Sequence, residues 1–210
     1  NNETNRGFVN MFRTWFQNKW VTTEKLSGGY TSALFTGESD SGTRCYMCIG
    51  STGGATYQQP NQTNGVFDFE VGIASIPQVN PAEPKVISQG PSLCIFNKEN
   101  PQEVLASWLF VKFLTTSVEF QAQFSMMSGY APVIKNLDQK NSVYASDLAE
   151  ANGNDKLQFT CVKQCLAQEG YMFVSPAFIG SSGARDQVGI LIQNCFVNAP
   201  ANGQTPADFV

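Results

Sequence analysis

The 210-residue sequence contains no histidine. Histidine is the commonest general base in enzymes and the commonest protein ligand of metal ions. Its absence excludes Ser-His-Asp and Cys-His catalysis. The composition therefore predicts a protein that is not an enzyme, has no catalytic residue and needs no cofactor.

Charged residues are also scarce, at 14% of the chain, and the formal net charge is −4. No cluster of basic residues is present, which argues against nucleic acid or an anionic membrane surface as a partner. The longest apolar run, 106–114, is too short to span a bilayer, and no signal-peptide pattern is found. We therefore expect a cytosolic protein, a mature secreted one, or a piece of a longer chain.

Six cysteines are present: Cys45, Cys48, Cys94, Cys161, Cys165 and Cys195. Cys45-x-x-Cys48 and Cys161-x-x-x-Cys165 resemble half-sites for structural zinc. The first pair falls in a strand-like run, where residues three apart point to opposite faces and hold a metal ion poorly. The pattern favours free, buried thiols and no metal ligand, and it leaves a disulfide and a four-cysteine metal site open as alternatives.

The spacing of apolar residues predicts an α/β protein. Apolar residues at i, i+3 and i+4 with capping signals predict helices at 7–20 (with Asn5 as N-cap), 31–35, 101–114, 117–127, 142–151, 155–168, 186–197 and from Thr205 onward. Alternating or continuous apolar runs predict strands at 44–49, 67–76 and 86–96.

The segment Gly50–Tyr57 follows the first predicted strand with small polar residues and a helix start. Backbone N–H groups at a helix N-terminus lack partners, so they can receive an anionic or hydroxyl-rich ligand. The glycines permit close approach to the backbone. No lysine follows them, which excludes a Walker-type phosphate loop. A plain turn is the alternative interpretation.

Several runs occur in an order that resembles the bacterial extracellular solute-binding proteins of sugar-uptake ABC transporters. They are 33–37 (ALFTG), 49–54 (IGSTGG), 71–77 (VGIASIP), 90–96 (GPSLCIF), 108–115 (WLFVKFLT), 120–124 (FQAQF), 128–133 (SGYAPV) and 203–206 (GQTP). The resemblance covers nearly all of the chain.

The resemblance implies a periplasmic-binding-protein-like (type II) fold, with two α/β lobes that close on a ligand. The matching positions begin partway through the family's second lobe, so the chain is expected to be a fragment. Residues 1–77 and 133–210 then belong to the second lobe, and 78–132 form a crossover segment of the first lobe with two helices. Prolines at 77–84 and at 132 suit hinge crossings because proline fixes φ.

The resemblance also implies ligand contacts at Ser51, Thr52, Gly53, Gly90, Tyr130 and Arg185. Many sugar binders have an aromatic residue where this chain has Arg185. The departure resembles the branch that binds glycerol phosphate, because a guanidinium binds phosphate or carboxylate with two hydrogen bonds. The alternative is that Arg185 is a surface residue at a helix start.

The predicted function is reversible binding of a carbohydrate, polyol or sugar-phosphate-like solute for an ABC permease. The expected location is extracellular or periplasmic, with a lipoprotein anchor in the full-length form. An unpaired strand at 92–96 would leave an exposed edge, which predicts dimerisation or strand exchange.

Two alternatives are a structural or adhesion module stabilised by a four-cysteine metal site, and a glycosidase that uses Asp68 and Glu70. These two acids lie at a spacing more typical of a solvated strand face.

Overall fold

The computed structural model describes residues 2–39 and 42–198, which are mostly helical. The α-helices are α1 (Glu3–Gln17), α2 (Glu24–Ser27), α3 (Ser32–Thr36), α4 (Pro101–Thr116), α5 (Val118–Ser128), α6 (Ser142–Glu150), α7 (Leu157–Leu166) and α8 (Ser181–Val197). Short 3₁₀ helices occur at Thr52–Gln58, Leu137–Gln139, Asn154–Lys156 and Glu169–Tyr171. The strands are β1 (Gln62–Thr63), β2 (Val66–Phe67), β3 (Val86–Ile87) and β4 (Met172–Phe173).

The helix predictions within the described residues are confirmed, because the capping signals act locally. The Asn100 side chain accepts a hydrogen bond at the start of α4, and Pro101 occupies the first helical position. Ser117 caps α5 in the same way. The first helix begins earlier than expected, since Asn2 and not Asn5 is its N-cap. The helix predicted to begin at Thr205 lies outside the described residues.

The strand predictions are wrong over most of their length. Each strand has two residues; β1 pairs with β2 antiparallel, and β3 pairs with β4 parallel. Residues 44–49 form no strand, and Tyr46 and Met47 are 86% and 88% exposed. Alternating side chains indicate an extended backbone, but a strand also needs a neighbour to accept and donate its hydrogen bonds. Within the described residues, the sheet part of the predicted α/β class is therefore small.

The chain divides into two compact units. The smaller comprises the described parts of 1–31 and 176–210, and the larger comprises Ser32–Ser175. The division into 1–77, 78–132 and 133–210 follows the lobes of the resembling family and stays a prediction.

The smaller unit packs α1 against α8. Val9, Cys195 and Phe196 are buried at this contact. The Arg13 guanidinium donates hydrogen bonds to the carbonyl oxygens of Cys195 and Asn198, at 2.5 and 2.6 Å. Helix carbonyls at a C-terminus lack partners within the helix, so a cation at this position stabilises the end of α8.

The core of the larger unit is formed by α5, α6 and α7. Its buried members are Ala122, Leu137, Tyr144, Ala151, Phe159 and Val162. The Tyr144 hydroxyl shares a hydrogen bond of 3.3 Å with the Ser125 hydroxyl, and the two rings of Tyr144 and Phe159 meet edge to face. Burial raises the pKa of Tyr144, so its phenol stays neutral in this core.

Asn154 ties the loop at 69–71 to the segment that leads into α7. Its Oδ1 accepts the Val71 N–H at 2.9 Å, and its Nδ2 donates to the Phe69 carbonyl at 2.6 Å. Asn154 is itself buried. One side chain thereby satisfies a donor and an acceptor of a loop that has no strand partner at these residues.

Candidate functional site

Ser51 is the N-cap of the 3₁₀ helix Thr52–Gln58. A helix therefore starts in this segment, as the sequence predicts. The Ser51 Oγ accepts the Gly53 N–H at 3.3 Å, and the Ser51 carbonyl accepts the Gly54 N–H at 2.9 Å. These two N–H groups are therefore satisfied by Ser51 and do not face a ligand unpaired, contrary to the expectation for a helix start. The hydroxyls of Ser51 and Thr52 remain the polar side-chain groups at this turn.

Helix α5 ends at Gly129, whose backbone is left-handed (φ 77°, ψ 2°). Gly129 donates its N–H to the Ser125 carbonyl at 3.2 Å, and Tyr130 donates its N–H to the Ser128 hydroxyl at 3.2 Å. A left-handed residue reverses the chain direction at a helix C-terminus, and glycine adopts it without a steric penalty. Because of this turn, the Tyr130 side chain lies against Gly53 of the 3₁₀ helix Thr52–Gln58.

The two segments approach so closely that each needs a glycine. A Cβ atom on Gly129 would lie 2.5 Å from the Thr52 carbonyl oxygen. A Cβ atom on Gly53 would lie 2.8 Å from the Tyr130 ring carbons Cε2 and Cζ. We call Ser51, Thr52, Gly53, Gly129 and Tyr130 the Tyr130 cluster.

The Tyr130 ring also ends a row of aromatic side chains on α4 and α5. It stacks on Phe124 with a centroid distance of 6.3 Å, and Phe124 stacks on Phe120 at 5.8 Å. Phe120 in turn contacts Phe113 at 5.7 Å. Phe124 is 45% exposed. Gly129 and Phe124 were not predicted as parts of the site, although the sequence shows a Gly-Tyr pair directly after an aromatic helix.

Gly90 and Arg185 are not part of the Tyr130 cluster. Gly90 is exposed and lies outside any helix or strand, and a Cβ atom there would meet nothing within 4 Å. Arg185 is exposed on α8 in the smaller unit, whereas the other expected contacts belong to the larger unit. The ligand roles of both residues stay predictions.

The Tyr130 cluster offers a flat aromatic ring beside three hydroxyl groups and carries no charged side chain. Tyr130, Thr52 and Gly53 are half-buried, and Ser51 is exposed. Binding sites for small molecules combine apolar surface with a few polar groups that fix orientation. Such a surface is suited to a neutral ligand that has both an apolar face and hydroxyl groups.

Cys45, Cys94, Cys161, Cys165 and Cys195 are not in disulfides. Among residues 2–39 and 42–198, no group of three or more Cys, Asp or Glu side chains is placed to hold a metal ion. The four-cysteine zinc site therefore has no geometric support in this part of the chain.

A family model described as bacterial extracellular solute-binding protein matches residues 10–151. The matched span is about two thirds of the chain and includes Gly90 and the whole Tyr130 cluster, but not Arg185. No curated protein and no solved structure matches the chain. None of the helices in the described ranges is long and apolar enough to cross a membrane.

Proposed function

Because the chain belongs to the bacterial extracellular solute-binding proteins, we propose that it is the substrate-binding component of an ABC importer for a carbohydrate, polyol or sugar-phosphate-like solute. The family supplies the solute-binding components of transport systems, and its members bind small molecules and are generally not enzymes. The family also implies a periplasmic-binding-protein-like fold. In the proposal the solute is bound reversibly and passed to a membrane permease.

The observation that carries the solute class is the Tyr130 cluster. An aromatic ring contacts the apolar C–H face of a sugar, while the neighbouring hydroxyls of Ser51 and Thr52 exchange hydrogen bonds with the sugar hydroxyls. The Tyr130 ring lies close to the backbone of Gly53. A side chain at position 53 would displace the ring. The site is thus held in place before the ligand arrives, which lowers the entropic cost of binding.

Arg185 and Gly90 extend the proposal to phosphorylated solutes. A guanidinium binds a phosphate through two parallel hydrogen bonds, and Arg185 is exposed and so accessible to a ligand. Gly90 allows a ligand to approach the backbone because no side chain covers it. A phosphate bound by the Arg185 guanidinium would favour a glycerol phosphate over a neutral sugar.

The resemblance also implies a lobe architecture and a location for the protein. The chain corresponds to part of a two-lobed protein, with lobe segments 1–77, 78–132 and 133–210. The family description supports an extracellular or periplasmic location. A lipoprotein anchor in the full-length protein would keep the binding component near its permease, since a lipid chain adds membrane affinity in proportion to its length.

The solute class is tested by thermal denaturation of the full-length gene product with a panel of sugars, polyols and glycerol phosphates. A solute present at about 100 times its Kd adds about 2.7 kcal/mol to the free energy of unfolding. That gain raises the Tm of a 150–250-residue protein by roughly 5–10 °C, and by less in a longer full-length product. We expect such a rise with at least one member of the panel, and a flat response to all of them contradicts the proposal.

We further propose that the isolated chain associates with a second copy. Helix α4 has no buried residue, and it exposes Trp108 and Phe110 at 53% and 63%. The extended segment 92–96 before it is largely exposed and forms no strand. Exposed apolar surface and unpaired backbone promote pairing with another chain.

Light scattering at rising concentration tests the association. We expect the molar mass to approach twice the monomer value, and Phe110→Glu to restore the monomer because a charge is costly in an apolar contact. Val143→Glu, at a 64% exposed position on α6, serves as the control and should still associate. A monomer at every concentration refutes this part of the proposal.

A further inference from the structure

Helix α7 carries two free thiols one turn apart. Cys161 and Cys165 are both half-buried and neither is in a disulfide. Residues four apart on a helix lie on the same face as neighbours. We propose that this pair binds one soft, two-coordinate metal ion, such as Cu(I), between its two sulfur atoms.

The helix sets the spacing of the two sulfurs. Residues at i and i+4 have Cβ atoms about 5–6 Å apart. A disulfide needs a Cβ separation of about 3.5–4.5 Å, so an intact helix holds Cys161 and Cys165 too far apart for one. With bonds close to the zinc–thiolate length of about 2.3 Å, a two-coordinate ion keeps its sulfurs about 4.6 Å apart. That span fits between the two Cβ positions with each side chain in a staggered rotamer.

The surroundings of the pair fix the helix in place. Leu157, one turn before Cys161, and Val162, next to Cys161, are fully buried. The Gln164 side chain donates a hydrogen bond to the Ser75 hydroxyl, and the Gln168 Oε1 accepts the Ile76 N–H at 3.3 Å. Metal ligands on a rigid helix are already ordered, so they lose less conformational entropy when they bind a metal ion.

Cys165 also affects the Cys161 thiol electrostatically. Burial raises the pKa of Cys161, and the neighbouring Cys165 raises it further. Burial likewise raises the pKa of Cys165, and the Glu169 carboxylate adds to that effect. The effect of Cys165 on Cys161 agrees with the helical spacing, since charges interact strongly only at short range.

The number of available ligands indicates which metal ion the Cys161–Cys165 pair binds. Structural zinc takes four ligands, and in the described parts of the chain no third Cys, Asp or Glu completes a group with this pair. Thiolates are soft ligands that favour Cu(I). On binding, each thiol releases its proton to the solvent, each sulfur forms one bond to Cu(I), and the product carries one negative charge. No electron is transferred, so no oxidant or reductant is needed.

The first test uses Cu(I) alone, in competition with a chromogenic Cu(I) chelator. Cys161→Ser, Cys165→Ser and the double variant are compared with the native protein and with the control Cys45→Ser/Cys48→Ser. Removal of a group that only supports a metal ligand costs roughly 10–100-fold in affinity. We expect each single variant, which removes a ligand itself, to lose more than that. The double variant should bind one equivalent fewer, and the control should keep the α7 site. Unchanged binding in the double variant overturns the proposal.

The second test needs no variant, so it holds even if a substitution disturbs folding. Alkylation of each cysteine by a maleimide is followed by peptide mass spectrometry, with and without one equivalent of Cu(I). We expect Cu(I) to slow alkylation of Cys161 and Cys165 together, while the exposed Cys94 reacts at the same rate. Equal rates for the α7 pair with and without Cu(I), or protection of Cys45 and Cys48 alone, overturn the proposal.

Discussion

Replacing Gly129 with alanine is expected to lower the free energy of unfolding by about 2–5 kcal/mol, because two costs add. A left-handed backbone costs a residue with a Cβ atom about 1–2 kcal/mol, and Gly129 has φ 77°. Overpacking costs about 1–3 kcal/mol more, and the new Cβ atom would lie 2.5 Å from the Thr52 carbonyl oxygen. Urea denaturation measures the loss.

Gly28→Ala is the matched control for this prediction. Gly28 ends α2 with nearly the same backbone conformation (φ 80°, ψ 10°), but a Cβ atom there would meet nothing within 4 Å. The control should therefore show only the conformational cost of about 1–2 kcal/mol. Equal losses in the two variants would show that the approach of Gly129 to Thr52 does not constrain the site.

Replacing Asn154 with alanine is the second large effect, with an expected loss of about 2–5 kcal/mol. The substitution leaves the Val71 N–H and the Phe69 carbonyl without their partner, and each unsatisfied group costs about 1–3 kcal/mol, with the lower part of that range for the half-buried Phe69. Val71 and Asn154 are 7% and 8% exposed, so water does not readily replace the lost amide. The loop at 69–71 should then separate from the start of α7.

Urea denaturation and amide hydrogen exchange at Val71 check the Asn154 prediction together. Asn80→Ala is the control, because Asn80 accepts the Ala82 N–H at 3.1 Å in an exposed turn where water can take over. The control should stay within about 0.5 kcal/mol of the native protein, as most surface substitutions do. Unchanged exchange of the Val71 amide in Asn154→Ala would contradict the assigned role.

The helices were predictable because their signals are local. Asn100-Pro101 before α4, Ser117 before α5 and Gly129 after it act within one or two turns of the backbone. The strands were not predictable, since alternation at 67–76 and the apolar run at 86–96 report only an extended chain. Whether such a segment becomes a strand depends on a neighbour distant in sequence, and only the ends at Val66–Phe67 and Val86–Ile87 have one.

Four residues of the Tyr130 cluster were predicted from the sequence, but their geometry was not, and their ligand role stays a prediction. Ser51, Thr52, Gly53 and Tyr130 followed from the family resemblance, and the structure places them together. The need for glycine at 129 was hidden, because it depends on the Thr52 carbonyl, which is more than seventy positions away in the sequence. The opposite holds for Gly90, whose predicted role has no contact with the cluster to support it.

Isothermal titration of the solute that most raises the Tm tests the central claim that the Tyr130 cluster holds the ligand. We compare the native protein with Tyr130→Ala and with Tyr57→Ala, whose side chain is 71% exposed on the same 3₁₀ helix. Loss of the Tyr130 ring should weaken binding at least about tenfold, or about 1.4 kcal/mol. Tyr57→Ala should bind as the native protein does. Native affinity in Tyr130→Ala would contradict the account.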